Sequence, residues 1–316
     1  MINVSKIVEH ILSNVCKVSS AGLYNGKAGI SLALFEASKI LRDECIENEA
    51  FSLLKEALIL KGKDLSFENG LSGIGYALCY LIENKFIKAD FDEIFGEQYE
   101  KIIKSHENIE KEPERLLNSL KIIYFLTAVK KKDERLQKII KKIFEGLELF
   151  LIVQFQDFAD VHYIKDKIAV LRIFEIYLKL VNYADYKHFS HSALSSYAEL
   201  YRHGNVLSST TIGYYLDKLA KKNVITEYYG LVNEHIMYGV RNIRIDELSL
   251  RKKIDLLKCF YDAEKQEFIH CDLMRVKEKI AQNIFKKATI ASTPLGYKDG
   301  LARLLLFCVN KKAELL

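Results

Sequence analysis

Gly22-Leu23-Tyr24-Asn25-Gly26-Lys27-Ala28-Gly29 decides how this chain is read, because the stretch returns twice in altered form. The second copy is Glu68-Asn69-Gly70-Leu71-Ser72-Gly73-Ile74-Gly75 and the third is Gly296-Tyr297-Lys298-Asp299-Gly300-Leu301-Ala302. Eight of the fifteen glycines fall inside these copies, so they are placed and not scattered. Each copy runs into an apolar segment, over 30–41, 76–87 and 301–309, so the glycines mark helix starts. A repeated helix-start motif points to a repeat architecture.

Working outward, the segments between the motifs alternate in character. Residues 2–15 carry Ile7, Val8, Ile11, Leu12 and Val15 on one side, the spacing of an amphipathic helix. The segment from Ile30 is apolar around most of its circumference and carries Ala33 and Ala37, which predicts a helix buried on several sides. The same couple is expected at 49–60 with 76–87, 91–105 with 116–129, 135–155 with 164–181, 186–201 with 212–219, 225–238 with 248–261, and 273–288 with 301–309. Successive buried-helix starts lie 40 to 48 residues apart, with Gly22 and Gly70 taken as equivalent. Two helices of ordinary length and two connections fit such a unit.

Seven couples account for nearly all of the 316 residues and predict an all-α chain with one domain over 1–316. A solenoid would keep one pattern throughout and end in polar caps. Here the first and last buried helices carry related motifs, so the expectation is a closed α/α toroid of inner and outer helical rings. Proline is confined to Pro113 and Pro294, which suits long helices, while 18 Tyr and 17 Phe fill space in the absence of Trp.

The net charge of +5 is too small to argue for a nucleic-acid partner, and the runs Lys130-Lys131-Lys132 and Lys141-Lys142 read as solvated surface. Six cysteines show no CxxC pair and read as small buried hydrophobes in a reducing compartment. No signal-peptide pattern opens the chain, and the apolar run over 147–155 is too short to span a bilayer. The expectation is a cytoplasmic protein with no membrane or nucleic-acid partner.

Closure of a ring would aim the polar residues of the three loops at one cavity. Tyr24, Asn25, Lys27, Glu68, Asn69, Tyr297, Lys298 and Asp299 are therefore the candidate ligand-binding residues, with Lys27 and Asp299 expected as neighbours. Helix N-termini beside them would suit an acidic or amide-rich ligand. The glycines themselves read as packing and turn residues. Gly22-x-x-x-Gly26-x-x-Gly29 follows a helix and no strand, so it is not read as a phosphate loop.

Residues 22–30 and 69–78 resemble the helix-start repeats of the lanthionine synthetase C-like (LanC-like) family, and 296–305 is similar to a worn final repeat. Between about residues 100 and 290 the likeness rests on repeat length alone. The resemblance implies a seven-couple α/α barrel. In cyclase members it also implies one zinc, held by a Trp-Cys and a Cys-His-Gly motif, that activates a peptide thiol for thioether closure. This sequence has no Trp, no Cys-His pair and no Cys-His-Gly; the only adjacent pair is the reversed His270-Cys271. Cofactors are therefore expected to be none, a zinc site from Cys259, His270 and Cys271 being the lesser alternative. His188, His191 and His203 are expected around one amphipathic helix, with His188 and His191 on one face and no acidic or Cys residue placed to give that pair a third metal ligand.

The function implied is a LanC-like protein without zinc cyclase activity. It would act as a peptide-binding or accessory component in maturation of ribosomally synthesised peptides, partnered by a precursor peptide or a peptide-modifying enzyme. Whether it is an enzyme is left open, and the catalytic residues are unknown. The alternative is an active enzyme in the same toroid, a divergent thioether-forming cyclase or a carbohydrate-active hydrolase using Glu68 and Asp299. A pure interaction module is the third reading.

Overall fold

A computed structural model describes residues 3–60, 62–109, 113–129, 133–158, 164–223, 225–264, 271–287 and 290–310. Among these residues the chain is all-helical, with no strand. In chain order the helices are α1 (Val4–Asn14), α2 (Lys27–Leu41), α3 (Glu44–Ile59), α4 (Leu71–Glu83), α5 (Phe91–His106), α6 (Pro113–Ser119), α7 (Ile122–Ala128), α8 (Glu134–Gln156), α9 (Ile164–Tyr183), α10 (His191–Arg202), α11 (Thr210–Asn223), α12 (Tyr229–Gly239), α13 (Leu250–Glu264), α14 (Cys271–Lys287) and α15 (Leu301–Val309).

Two kinds of helix start separate two kinds of helix. The amphipathic helices α1, α3, α5, α8 and α10 begin at Asn3, Asp43, Asp90, Asp133 and Ser190, whose side chains accept the first free amides. The motif helices α2, α4 and α15 begin at Gly26, Gly70 and Gly300, all extended and without a side-chain cap. These glycine-led helices are buried on nearly every side; α2 hides Leu32, Leu34 and Phe35 together with Ser31, Glu36 and Ser38. Burying each large apolar side chain contributes about 2 kcal/mol, so packing and not helix propensity holds α2.

The buried helices touch in succession: α2 meets α4, α4 meets α7, α7 meets α9, α9 meets α11, α11 meets α13, α13 meets α15, and α15 returns to α2. The amphipathic helices lie against them, α3 on α2, α5 on α4, α8 on α9, α12 on α11 and α14 on α13. Helix α1 packs on both α15 and α2, so the first and last described helices are neighbours.

Two expectations about helix course change. The segment over 116–129 is not one helix: a tight turn at Leu120 and Lys121 separates α6 from α7, with the amides of Ile123 and Tyr124 bonded to the carbonyls three residues back. His188 lies ahead of α10, His191 opens it and His203 ends it, because Ser190 is the residue that caps the helix. These histidines do not share one helix face. Cys79 and Cys259 are buried as expected, whereas Cys16 and Cys45 are exposed. Lys141 is exposed beside Glu145; Lys130-Lys131-Lys132 lie outside the described residues.

Candidate functional site

The three glycine loops are built to one pattern and bonded to each other. The amides of Lys27, Leu71 and Leu301 donate to the carbonyls of Ser20, Asp64 and Pro294, at 2.9, 2.8 and 2.7 Å, across the same span of chain. That register makes Gly26, Gly70 and Gly300 equivalent, so the first two repeats are 44 residues apart, and Gly22 does not correspond to Gly70. Between loops, the Tyr24 amide donates to the Glu68 carbonyl at 2.7 Å and the Lys298 amide donates to the Tyr24 carbonyl at 2.9 Å. Gly22 is required at this junction, because a Cβ there would meet the Asn69 backbone at 2.4 Å.

The eight predicted residues divide. Tyr24 is fully buried, with its ring beneath two cations: the Lys121 ammonium and the Arg251 guanidinium each stand 5.1 Å from the ring centre. Tyr297 is also buried, and the Arg303 guanidinium lies 5.5 Å from its ring centre. Glu68 pairs with Lys121. Asp299 accepts the backbone amide of Arg251 at 2.9 Å, capping α13 from outside the helix. Asn25, Asn69 and Lys298 are exposed. Lys27 turns to Glu56 on α3, so Lys27 and Asp299, expected as neighbours, have separate partners.

The loops border a charged cluster that the sequence reading missed. Arg303 on α15 is fully buried and donates to Oδ1 of Asp255 on α13, while Arg251 Nε stands 3.8 Å from Oδ2 of the same carboxylate. Lys179 on α9 interacts electrostatically with Asp255, Arg303 and Arg251, and Lys252 pairs with Glu175 one turn before Lys179. Arg251, Asp255 and Cys259 recur every four residues along α13, as do Glu175 and Lys179 along α9. Polar side chains at that spacing on a helix expected to be buried were the available signal.

Electrostatics place these groups deep in protein. Burial pushes the Lys179 ammonium down to about 8, opposed by Asp255 and reinforced by Arg303, Arg251 and Lys258. Burial alone would raise the Asp255 carboxyl, but Arg303, Lys179 and Arg251 outweigh it and hold the group below its ordinary value. Burial, then the Asp255 charge, pushes the Cys259 thiol up to about 12. Asp255, Lys179 and Tyr215 nonetheless keep partial contact with solvent. A cleft of about 420 Å³ opens beside Glu68 and Lys121, bounded by 64–68 and 117–122.

The zinc implied by the resemblance does not fit the described donors. No three His, Cys, Asp or Glu side chains among the described residues stand together as metal ligands. His270 and the side chain of Cys271 lie outside the described residues.

No protein-family model matches this chain, and no characterised protein matches it. Among the described residues no helix is long and apolar enough to cross a membrane.

Proposed function

We propose that this chain is a divergent LanC-like α/α toroid, one domain over 1–316. It has no zinc cyclase centre and binds peptide as an accessory component in maturation of ribosomally synthesised peptides. The observation that carries the reading is the junction at Tyr24, whose amide and carbonyl bond the second loop and the last loop. A solenoid keeps its first and last repeats apart, whereas here they share backbone hydrogen bonds and α15 packs on α2. The succession of buried-helix contacts from α2 to α15 and back then supports an inner ring of seven, with α6 and α7 together supplying the third member. The amphipathic helices form the outer ring.

What supports a binding role is the polar cluster beside the loop junction, where Arg251 of α13 stands over the buried ring of Tyr24 and Lys179 of α9 and Arg303 of α15 gather about Asp255. Peptides offer carboxylates and amides that such a cluster can hold. A toroid of this length has an expected radius of gyration of about 20 Å, which small-angle scattering measures; a clearly larger value would overturn closure. For function, fluorescence anisotropy with a labelled peptide containing Ser, Thr and Cys should show saturable binding without thioether formation. Stoichiometric zinc in the purified chain, lost in Cys259→Ser, would overturn the zinc-free reading.

A further inference from the structure

A cleft of about 700 Å³ opens between α10 and α12, and no residue of the glycine loops lines it. That volume lies in the range of ligand clefts. Tyr201 and Arg202 of α10 form one side, Leu231 and Glu234 of α12 with Glu227 just ahead of it form the other, and Leu207 comes from the connection to α11. Unlike the charged cluster, this site is open. Arg202, Leu207, Glu227, Gly230 and Glu234 are exposed, and Tyr201 and Leu231 are half-buried.

The connection from α10 to α11 is held in place. Gly204 takes the left-handed conformation at φ 71°, the Asn205 amide donates to the Leu200 carbonyl at 3.0 Å, and Asn242 Nδ2 donates to the Ser208 carbonyl at 2.8 Å. This fixed turn nevertheless leaves Leu207 75% exposed. An apolar side chain held out on a rigid turn beside a cleft loses little freedom when a partner covers it. Charge gives the partner's sign. The chain as a whole is basic, with 47 Lys and Arg against 42 Asp and Glu, yet the cleft is lined by Glu227, Glu234 and one guanidinium, Arg202, with no lysine. Glu227 stands 3.8 Å from His191 Nδ1, whereas Glu234 and Arg202 join no ion pair among the described residues. Arg241, 5.2 Å from the Tyr238 ring centre, does not line the cleft. A local excess of carboxylate on a basic chain favours a cationic partner.

Gly230 leaves the α12 side of the cleft bare. Gly22 and Gly29 are glycine because a Cβ would collide with backbone, but a Cβ at Gly230 would meet nothing within 4 Å. Glycine is also a poor helix former, so neither packing nor propensity calls for it at this position. The gap lets another chain lie close to the helix backbone. We propose that the cleft between α10 and α12 binds an extended peptide segment in which a basic residue, arginine or lysine, neighbours an apolar one. The apolar side chain covers Leu207 and Leu231, and Glu234 and Glu227 hold the cation. Arg202 then donates to carbonyl or carboxylate oxygens of the same segment. The inference rests on the peptide-binding reading and deepens it, giving the peptide a sequence class and a docking place apart from the loop junction.

Fluorescence anisotropy on the intact chain tests it, with two labelled short peptides, one alternating leucine and arginine and one alternating leucine and glutamate. The first should bind saturably with one-to-one stoichiometry, and the second about tenfold more weakly or not at all. Gly230→Leu, which puts a side chain into the cleft, should weaken binding of the first peptide about tenfold. Glu234→Gln and Leu207→Ser should each weaken it about threefold. Glu47→Gln removes the same charge from an exposed position on α3, outside the cleft, and should leave binding unchanged. An equal loss there would reduce the effect to general charge attraction and overturn the proposal. Circular dichroism and urea midpoints check folding, and the variants at exposed Glu234 and Leu207 decide the matter should Gly230→Leu fail to fold. No saturable binding of the leucine–arginine peptide at millimolar concentration, or binding unchanged in all three cleft variants, also overturns it. In those cases the peptide containing Ser, Thr and Cys separates the two claims: its binding leaves the broader reading standing, and its failure ends both.

Discussion

Arg303 stands where Gly29 and Gly73 stand in the other two loops, three residues past the capping glycine, and its guanidinium donates to Asp255 on the neighbouring helix α13. The last repeat has exchanged a packing residue for a buried charge that ties the final two buried helices together. Removing one partner of such a pair leaves the other charge stranded in the interior. Arg303→Met should therefore destabilise the fold by about 3 kcal/mol, and adding Asp255→Leu should recover part of the loss. Urea denaturation of the two single variants and the double variant measures this. Additive losses would show that the two side chains are not coupled.

Gly29 is required by close approach. A Cβ there would stand 1.9 Å from the Leu23 carbonyl oxygen and 2.8 Å from the Tyr297 Cβ, so backbone and not a movable side-chain tip must yield. Gly29→Ala should cost about 3 kcal/mol. Gly62 meets only the Asp64 nitrogen, at 4.0 Å, and Gly62→Ala should be nearly silent. Equal urea midpoints for the two variants would contradict the packing described at the first loop.

Asp299 caps a helix to which it does not belong, accepting the Arg251 amide at 2.9 Å. Asp299→Ala should lower stability by about 1 kcal/mol, the ordinary worth of an N-cap, and Asp299→Asn, which keeps an acceptor oxygen, should lose less. Hydrogen exchange read by mass spectrometry should rise at the first turn of α13 in the alanine variant. Unchanged exchange there would remove the capping role.

His235 on α12 is fully buried; its Nδ1 accepts the Ser209 amide at 2.9 Å and its Nε2 lies 3.3 Å from the Tyr197 hydroxyl. Burial pushes its pKa down to about 4, partly opposed by the Ser209 hydrogen bond. Between pH 6.5 and 4 the unfolded chain binds a proton here that the folded protein refuses, so stability falls as pH drops through that window. The loss amounts to roughly 3 kcal/mol across the full interval. Thermal melts of His235→Asn, which keeps an acceptor near the Ser209 amide, should show a flatter acid limb than the parent. Parallel limbs would mean that another group sets the acid response.

Much of the helical order was legible because it is local. The amphipathic spacing of Ile7, Val8 and Ile11 and the all-round apolar run after Gly29 set α1 and α2, and the sequence placed α15 at 301–309, where it lies. The break between α6 and α7 was not legible, since 116–129 carries no glycine or proline to announce it. The repeat register was misread by four residues because Gly22 and Gly26 are both glycine; hydrogen bonds from Lys27, Leu71 and Leu301 separate them. Of the candidate ligand-binding residues, Tyr24 lies under the Arg251 guanidinium at the edge of the charged cluster, while Lys27 is drawn to Glu56 on an outward helix.

The sequence by itself determined that the described chain is helical, that its glycine loops lead into buried helices, and that three of those loops share one design, since periodicity acts over a few residues. Tertiary structure alone decided which charges meet. Arg251, Asp255 and Lys179 belong to helices remote from the first motif in sequence, and no local rule records that packing brings Arg251 over the Tyr24 ring. The stretch from Gly22 to Gly29 announced a junction. Its role beside a cationic cluster follows only once α9, α13 and α15 supply the cations.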